Sequence, residues 1–448
     1  MTALWAGSAK VVAATGYRSL VVASQDADLL ARGFGPPSST VHSLSSAAVK
    51  ASVTASSSTL GLLPAEDVTP DVRALAVDGV SLFGSERAKD LAHWHLMVRS
   101  ATPSSFSPST EWTLAAGGDV NLSREVYVKA VSRHYGPDYP WSAGYAVISG
   151  HECCGMNNAQ LVVARNTGPN GALRARLADA DLALVNLEGP APDRYANSLT
   201  GVVFSFDPAL LVGLRDAGID AVTLANNHIR NAGAAGVLQT CGHLDAIGIA
   251  HTGAGANATA ARQPAWLEAG GLRVAVLGYS AIGPANWATA EAAGAAPLNL
   301  PQATADIRAA RAAGADIVIV MPHWGREFKY SITASQESEA AAFVAAGADL
   351  VLGSHSHWVG PIQAIDRPGG PAFIDYELGN LLFNMNYDAA AQEGVIVTLT
   401  FSGKRLVQVD LAPTVMIAGA RVGLLDPAGD GAAVLDAIRR ASRRTLDW

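Results

Sequence analysis

Five short clusters of carboxylate, amide and imidazole side chains occur between residues 117 and 357. None of the five contains a cysteine. Oxygen and imidazole ligands without a thiolate suit Mn, Fe or Zn, and they suit soft metals or Ca alone poorly. The clusters therefore predict a divalent metal site. The candidate residues are Asp119, Asn121, Glu188, Asn227, His228, His323, His355 and His357.

The spacing within two of these clusters favours paired ligands. In an extended segment, side chains two residues apart lie on the same side. Asp119 and Asn121 have this spacing, and so do His355 and His357. A glutamate between two such pairs, here Glu188, can bridge two cations. Because two cations about 3.5–4 Å apart can clamp a phosphoryl group for in-line attack, the spacing indicates phosphoester-type hydrolysis.

Each candidate has a simpler explanation when it is taken alone. Asp119 follows two glycines and could cap a helix. The Asn-Asn-His sequence that ends at His228 could form a turn, and Glu188 could be a solvated loop residue. A thiolate site at Cys153 and Cys154 is a further alternative, but the chain lacks the second cysteine pair of a structural zinc site. The metal hypothesis therefore depends on all five clusters together.

The clusters follow a repeating order of predicted elements. An alanine-rich helical stretch ends in small residues and an aspartate, an apolar strand follows, and the strand ends in polar residues. Nearly continuous apolar strands separated by helices predict buried sheets that are largely parallel or mixed. Ligand sites in such sheets lie at the carboxyl ends of the strands. The four copies of this order span residues 177–189, 214–228, 312–325 and 345–357.

Residues 1–108 differ from the rest of the chain, and no function is assigned to them. Their composition is rich in Ser, Thr, Ala and Val, and a Pro/Ser-rich linker follows at 102–110. We therefore predict an N-terminal segment or subdomain at 1–108 and an α/β domain at 109–448. The second domain should end in a hairpin turn at Ser402-Gly403 and a helix over 431–444.

The composition argues against some classes of partner. Of the 448 residues, 49% are hydrophobic and 16% are charged, which predicts a large folded core. The formal net charge of −8 argues against a nucleic-acid partner, because phosphate backbones require clustered Lys and Arg. No apolar run reaches the roughly 18–20 residues of a membrane helix, and the first ten residues lack the pattern of a secretory signal. No transmembrane segment is therefore expected within this chain.

Six ordered segments resemble the CapA (poly-γ-glutamate capsule) branch of the calcineurin-like metallophosphoesterases. The resemblance implies a four-layer α/β/β/α sandwich that carries two divalent metal ions. It also implies a role in capsule-type polymer production at the bacterial cell envelope, and hence an extracytoplasmic location. The segments are Gly118-Asp119, Asn186-Leu-Glu188, Asn226-Asn-His228, His323-Trp-Gly325, Gly353-Ser-His-Ser-His357 and Leu378-Gly-Asn380.

The resemblance also implies a role for each candidate residue. A hydroxide that bridges the two metals would be the nucleophile, and His228 would protonate the leaving group or stabilise the developing charge. Arg124 and Glu327, within the same motifs, would orient an anionic substrate or pair with neighbouring charges. The first metal would be bound by Asp119, Asn121, Glu188 and His357, and the second by Glu188, Asn227, His323 and His355.

Two of these residues depart from the wider superfamily. Asn121 stands where a histidine is usual, and Glu188 stands where an aspartate is usual. An amide is a neutral and weaker ligand than an imidazole. The departure at Asn121 therefore predicts a first metal that is loosely bound.

Three functions remain open at this point. The first is a metal-dependent hydrolase that acts on a phosphoester or related linkage of a cell-envelope polymer. The second is a non-catalytic, metal-containing assembly or polymer-binding factor that contacts capsule-synthesis membrane proteins. The third is a periplasmic-type binding protein, in which residues 1–108 would be the remnant of one lobe.

Overall fold

The computed structural model describes residues 2–7, 16–94, 96–97, 104–151, 161–166 and 172–442. The described chain forms two compact units. The first unit contains residues up to Glu111 together with Thr400–Val409, and the second contains Trp112–Leu399 together with residues 410–442. The predicted domain at 109–448 was continuous, whereas the structure assigns Thr400–Val409 to the first unit.

The first unit contains a small parallel sheet with helices. Its elements are α1 (Thr2–Trp5), β1 (Ser19–Ala23), α2 (Ala27–Phe34), β2 (Val41–Leu44), α3 (Ser46–Ala55) and β3 (Thr59–Leu62). The strand order is β2-β1-β3, and β1 is parallel to both neighbours. Leu20 and Val22 of β1 pack with Leu30 of α2 in a small apolar core.

The remaining elements lie wholly or largely in the second unit. The strands are β4 (Glu111–Val120), β5 (Ala146–His151), β6 (Leu161–Asn166), β7 (Leu182–Leu187), β8 (Ala221–Thr223), β9 (Ala250–Thr252), β10 (Ala254–Gly255), β11 (Ala265–Ala269), β12 (Leu272–Ser280), β13 (Gly294–Ala295), β14 (Ile317–His323), β15 (Leu350–Leu352), β16 (Ile362–Ile365), β17 (Ala372–Asp375), β18 (Asn380–Leu382), β19 (Glu393–Ser402), β20 (Arg405–Ile417) and β21 (Arg421–Leu425). The helices are α4 (Glu125–Tyr127), α5 (Ala172–Ala178), α6 (Leu211–Asp216), α7 (Gly233–Ile247), α8 (Ala258–Ala261), α9 (Leu300–Ala312), α10 (Ala334–Ala346) and α11 (Gly431–Ala441).

Two mixed sheets form the centre of the second unit. One has the strand order β6-β5-β21-β20-β19-β4-β7-β8-β9, and β18 pairs with the end of β4. The other has the order β11-β12-β14-β15-β17-β16. Within them, β4, β7, β8 and β9 are parallel, as are β12, β14, β15 and β17. The predicted α/β class is confirmed.

Helices cover one face of each sheet. Side chains of β12 and β14 share a core with α9 and α10, and side chains of β7 share another with α6 and α7. Leu184 of β7 and Val276 of β12 alternate with these core residues and so lie on the opposite face of each strand. Both are also buried, although they lie outside these two cores. Gly278 of β12 approaches Thr223 of β8 so closely that a Cβ at Gly278 would overlap the threonine hydroxyl. The two sheets therefore face each other between helix layers, which is the predicted α/β/β/α sandwich.

The predicted order of helix and strand is confirmed in all four copies. Strands β7, β8, β14 and β15 follow helices α5, α6, α9 and α10, respectively. The hairpin of β19 and β20 and the terminal helix α11 are also present, while the predicted helix residues Arg443 and Arg444 lie outside the described residues. None of the helices in the described ranges is both long and apolar enough to cross a membrane.

Local signals set the ends of the helix that precedes β15. Thr333 and Gln336 form a reciprocal capping box at the start of α10. The helix ends at Gly347, which has the left-handed φ of 119° that glycine tolerates. The chain then turns directly into β15, whose carboxyl end carries the predicted histidine ligands.

A close backbone approach fixes the end of β4. The backbone N–H of Asp119 donates to the Gly379 carbonyl oxygen at 3.0 Å, and Asp119 pairs with Asn380 of β18. A Cβ at Gly118 would overlap the Gly379 carbonyl oxygen. Because this approach requires glycine at position 118, that residue fixes the position of Asp119.

Gly118→Ala should lower the free energy of unfolding by about 1–3 kcal/mol, the usual cost of overpacking a buried position. Urea denaturation measures the change. The matched control is Gly242→Ala in the exposed middle of α7, where an added Cβ would meet nothing within 4 Å. The control should gain about 0.5–1 kcal/mol from its helix propensity. A Gly118→Ala protein as stable as the wild type would contradict this account of β4.

Candidate metal centre

Five of the predicted ligands lie together at the carboxyl ends of strands from both sheets. Asp119 is the penultimate residue of β4, Glu188 directly follows β7, and His323 ends β14. His355 and His357 lie in the loop that follows β15. All five side chains are buried. The two sheets therefore contribute jointly to one polar site inside the second unit.

The five residues form two overlapping groups. The first group is Asp119, Glu188 and His357, and the second is Glu188, His323 and His355. In each group, one potential ligand atom from every residue lies within 4.8 Å of the others. The closest approaches include 3.3 Å from His357 Nδ1 to Asp119 Oδ2 and 3.7 Å from His323 Nε2 to Glu188 Oε1. Glu188 belongs to both groups.

The chemistry of these residues fits divalent cations. Asp119 Oδ2 and both carboxylate oxygens of Glu188 are buried and have no hydrogen-bond partner in the part of the chain that the structure describes. A buried carboxylate oxygen without a partner is costly, and buried charges are normally paired or coordinate metals. Oxygen and imidazole donors suit Mn, Fe or Zn. The unpartnered oxygens are therefore where cations would bind.

The carboxyl groups have strongly perturbed acidities. Burial and the nearby Asp119 carboxylate raise the pKa of Glu188 well above its ordinary value. Burial also acts to raise the pKa of Asp119, but the His357 imidazole beside it, the neighbouring His323 and the Asn186 amide outweigh burial and lower that pKa to about 2. A cation beside both groups would favour their ionised forms.

The histidines of the second group are neutral at neutral pH. Burial, together with the neighbouring His355, lowers the pKa of His323 well below its ordinary value. Burial, together with His357, lowers the pKa of His355 to about 3. Neutral imidazole is the form that binds metal, so both rings are prepared to act as ligands.

The two predicted amide ligands differ in their surroundings. Asn121 Oδ1 accepts hydrogen bonds from the backbone N–H and the hydroxyl of Ser123, and its Nδ2 donates to the Glu188 carbonyl oxygen at 3.2 Å. Asn227 Oδ1 instead lies 2.8 Å from His323 Nε2, at the second group. The structure thus brings Asn227 to the site, whereas the amide oxygen of Asn121 is already used by Ser123.

The prediction that His355 and His357 alternate along an extended strand is wrong. The extended ladder of β15 ends at Leu352, so the two histidines do not alternate along a strand. They have positive φ values instead, 115° for His355 and 62° for His357. Such backbone strain in residues other than glycine is concentrated at functional sites. The turned backbone places one imidazole in each group, with the two ring centres 6.2 Å apart.

His228 lies at the edge of the site. Its Nδ1 is 3.0 Å from Asn231 Oδ1, which also accepts the Phe204 N–H at 2.8 Å. Because that oxygen only accepts, Nδ1 of His228 carries a proton and Nε2 has the lone pair. Nε2 lies 3.7 Å from Glu188 Oε1. Burial lowers the pKa of His228 to about 4, although the hydrogen bond to Asn231 acts in the opposite direction.

The other two predicted catalytic residues are placed differently. Arg124 is buried, and its guanidinium donates to the carbonyl oxygens of Asn384 and Gly201, both at 2.7 Å. It also lies 5.2 Å from the ring centre of Phe204. Arg124 therefore ties two loops together. Glu327 is exposed, and its charge contributes to the raised pKa of Glu188.

Two asparagines that were given no role connect the ligands. Asn186 Nδ2 donates to Asp119 Oδ1 at 2.7 Å and lies 3.3 Å from His323 Nδ1, so it contacts both groups. Asn226 Nδ2 donates to Asn186 Oδ1 at 3.2 Å and to the Leu187 carbonyl oxygen at 2.9 Å. Both residues directly follow an apolar run within a motif segment. That position is the sequence signal that could have identified them. The alternative cysteine pair, Cys153 and Cys154, lies outside the described residues.

The fold and the site define a class of protein, an α/β/β/α sandwich with a candidate metal centre at its strand ends. The family described as "Bacterial capsule synthesis protein PGA_cap" matches residues 113–385. This match covers more than half of the 448 residues, and the chain belongs to that family. The predicted relationship to the CapA branch is confirmed.

Two curated relatives align with different shares of the chain. "Capsule biosynthesis protein CapA" of Bacillus anthracis is 25% identical over 315 residues, which are 68% of this chain and 68% of that protein. "Probable polyglutamine synthesis accessory protein" of Mycobacterium tuberculosis is 31% identical over 196 residues, 41% of this chain and 51% of that protein. The chain thus spans about half the length of the mycobacterial relative. A solved structure, the 5'-nucleotidase precursor from Thermus thermophilus, aligns with 74% of this chain and 58% of its own length, at 15% identity and a TM-score of 0.38.

Glu188→Gln should stabilise the chelator-treated protein at neutral pH. The folded-state pKa of Glu188 is raised, so its contribution to stability is fully present below the unfolded value near 4.5 and is lost as the pH rises through the folded pKa. The neutral amide avoids that loss. Chelated variant and wild type should therefore melt at similar temperatures below about pH 4.5, and the variant should melt higher at neutral pH. Thermal melts across this pH range measure the difference.

The same variant should lose its response to metal. With Mn²⁺ at about 100 times its Kd, the wild type should gain about 2.7 kcal/mol of stability. Glu188→Gln should gain much less, because the carboxylate shared by both groups is absent. Glu268 is an exposed residue of β11, and Glu268→Gln is the control. It should change the melting temperature of neither the chelator-treated nor the Mn²⁺-loaded protein. Equal metal-dependent gains in wild type and Glu188→Gln would contradict the shared role.

Proposed function

We propose that the protein is a metal-dependent hydrolase that cleaves a phosphoester, or a related acyl or amide linkage, in a bacterial cell-envelope polymer. The observation that carries this proposal is the Glu188 carboxylate. It is buried, has no hydrogen-bond partner in the described chain, and belongs to both groups of potential ligands. A carboxylate shared between two imidazole-containing groups is the arrangement of a dinuclear hydrolytic site.

The residues would divide between two divalent cations. Asp119, Glu188 and His357 would bind the first, and Glu188, His323 and His355 would bind the second, with Asn227 beside it. When bound, the cations would supply Lewis-acid activation of a phosphoryl or carbonyl group. The first position lacks support from the Asn121 oxygen, which supports the expectation of weaker binding there.

His228 would handle a proton at the edge of the site. Since Nδ1 already donates to Asn231, Nε2, which accepts from Asn227 Nδ2 at 3.1 Å, is the remaining ring nitrogen that can accept a proton or deliver one. The side chain is 13% exposed, so substrate can reach it from solvent, while Glu188 lies on its inner side. In this position an imidazole can protonate a leaving oxygen or stabilise charge that develops on it.

Aromatic rings limit the access of water to these groups. Phe204 packs against His228 with ring centres 4.3 Å apart, and Phe383 packs against His357 at 5.1 Å. Phe328 covers His357 from another direction at 5.8 Å. A site with apolar walls has a lower local dielectric, so the charges of carboxylates and cations act more strongly on the substrate.

The names of the relatives support the class of substrate. The Bacillus anthracis relative is named as a capsule biosynthesis protein, and the family description names capsule synthesis. We therefore place the substrate among cell-envelope polymers or their phosphoester precursors, at an extracytoplasmic site. Capsule-synthesis membrane proteins are the corresponding proposed partners.

A second candidate is a non-catalytic, metal-containing assembly or polymer-binding factor. Two observations favour it: the Asn121 oxygen is committed to Ser123, and the mycobacterial relative is named an accessory protein. Metal-loaded protein incubated with a phosphomonoester, a phosphodiester and a γ-glutamyl amide separates the candidates. Turnover of any probe that chelation abolishes supports the hydrolase, whereas tight metal binding without turnover of all three supports the assembly factor.

His228→Ala should keep its metal and lose its activity. The imidazole lies beside the ligand groups without belonging to either, so elemental analysis should give the wild-type metal content. Turnover should fall by about 10²–10⁴-fold, the usual contribution of a general acid or base. His243→Ala, which removes a surface histidine paired with Asp193, is the matched control and should retain full turnover. Wild-type turnover in His228→Ala would exclude the proposed role.

Asn231→Asp should shift the pH dependence of turnover upward. A carboxylate beside Nδ1 favours the imidazolium form, so the pKa of His228 should rise from about 4 by about one unit or more. If His228 acts as the acid, the descending limb of the pH profile of kcat/KM should move to higher pH by the same amount. Asn257→Asp adds the same charge at the N-cap of α8 and should leave the profile unchanged. An unmoved limb in Asn231→Asp would show that another group titrates.

A further inference from the structure

A buried carboxylate outside the two ligand groups holds the loop that carries His355 and His357. Glu377 is 3% exposed and lies two residues beyond the end of β17. Its Oε2 accepts the backbone N–H of Ser356 at 3.1 Å. Because Ser356 stands between the two histidines, this hydrogen bond acts on the backbone that both imidazoles share.

The backbone on either side of Ser356 needs such support. His355 and His357 both have positive φ, which is unfavourable for a residue with a Cβ. The sheet ladder of β15 has already ended at Leu352. Contacts from outside that strand must therefore hold the strained conformation.

The second oxygen of Glu377 is also matched to a donor. Oε1 accepts from Gln336 Nε2 at 3.0 Å. The amide of Gln336 is oriented by the capping box of α10, in which its Oε1 accepts the Thr333 N–H at 2.9 Å. Both partners of Glu377 are therefore donors, and only a side chain with two acceptor oxygens satisfies both.

The surrounding backbone is shaped around this carboxylate. A Cβ at Gly325 would lie 2.7 Å from Glu377 Oε1, and a Cβ at Gly360 would lie 2.7 Å from the Glu377 Cβ. The Gly360 N–H also donates to the Glu377 carbonyl oxygen at 2.7 Å. The glycines leave the carboxylate one position, directed at Ser356 and Gln336.

We propose that Glu377 is the positioning residue for both histidine ligands, acting through the Ser356 backbone. The proposal rests on the proposed function in one respect, namely that His355 and His357 bind metal. Since His355 belongs to one group and His357 to the other, loss of the Glu377 hydrogen bond weakens both metal positions. A residue that supported a single ligand would weaken only one.

The test uses a single variant and its compensating partner. In Glu377→Gln, one acceptor oxygen is replaced by an amide donor. That donor then faces the N–H of Ser356 or of Gln336. In the double variant Glu377→Gln/Gln336→Glu, the new amide donates to the new carboxylate while its oxygen accepts from Ser356. The new carboxylate keeps the acceptor for Thr333. Ile374→Val on β17 is the control for a small loss of packing in the same strand.

Two measurements on the full chain follow the effect. Hydrogen exchange of residues 353–359 is measured on chelator-treated protein, and Mn²⁺ binding is measured by calorimetry. Glu377→Gln should speed exchange and weaken Mn²⁺ binding at both positions by about 10–100-fold, as other residues that orient metal ligands do. The double variant should restore both readouts, and Ile374→Val should alter neither. If Glu377→Gln fails to fold, recovery of folding and binding in the double variant supports the same pairing.

Unchanged exchange and unchanged Mn²⁺ affinity in a folded Glu377→Gln protein would overturn the proposal. A folded double variant without restored exchange would overturn it as well. Wild-type protein that binds no Mn²⁺ would overturn the proposed function instead. The exchange measurement would then decide by itself whether Glu377 holds the loop.

Discussion

Three carboxylate oxygens at the candidate metal centre are buried without a hydrogen-bond donor from the described chain: Asp119 Oδ2 and both oxygens of Glu188. Negative charge placed in a protein interior is strongly unfavourable unless it is paired. The neighbouring His323 and His355 are neutral at neutral pH and do not supply that pairing. The described residues thus leave these oxygens available to cations, and under the proposed function the cations bound there would act on the substrate.

The fold explains how these groups come together. One sheet supplies Asp119 and Glu188, and the other supplies His323 and the loop of His355 and His357. The strands β4, β7, β14 and β15 are buried along their whole length, and the predicted ligands lie at or just beyond their carboxyl ends. Asn186, which contacts members of both ligand groups, joins the contributions of the two sheets.

Much of this arrangement could be predicted from the sequence. Apolar runs that end in Asp119, Glu188 and His323 indicated the strands, and the shared edge of parallel strands brought the polar ends together. A hairpin signal predicts the turn at Ser402-Gly403 but does not predict the compact unit to which Thr400–Val409 belongs. Local patterns specify strands well and long-range packing poorly.

Other details of the site depend on contacts that spacing does not encode. The positive φ of His355 and His357 depends on tertiary support, so the period-two explanation failed there. Arg124 was expected to orient an anionic substrate or to pair with neighbouring charges, and its position in a motif gave no sign that its guanidinium donates to the carbonyl oxygens of Asn384 and Gly201. Glu377 carries no motif signal, because its partners lie 21 and 41 residues away in the chain.

Under the proposed function, the Glu188 carboxylate joins two metal positions. Titration of chelator-treated protein with Mn²⁺, followed by electron paramagnetic resonance, tests it most directly. The account predicts two bound ions with the spectrum of an exchange-coupled pair, because both ions would share the Glu188 carboxylate. A single, magnetically isolated Mn²⁺ ion, or no binding at all, would contradict it.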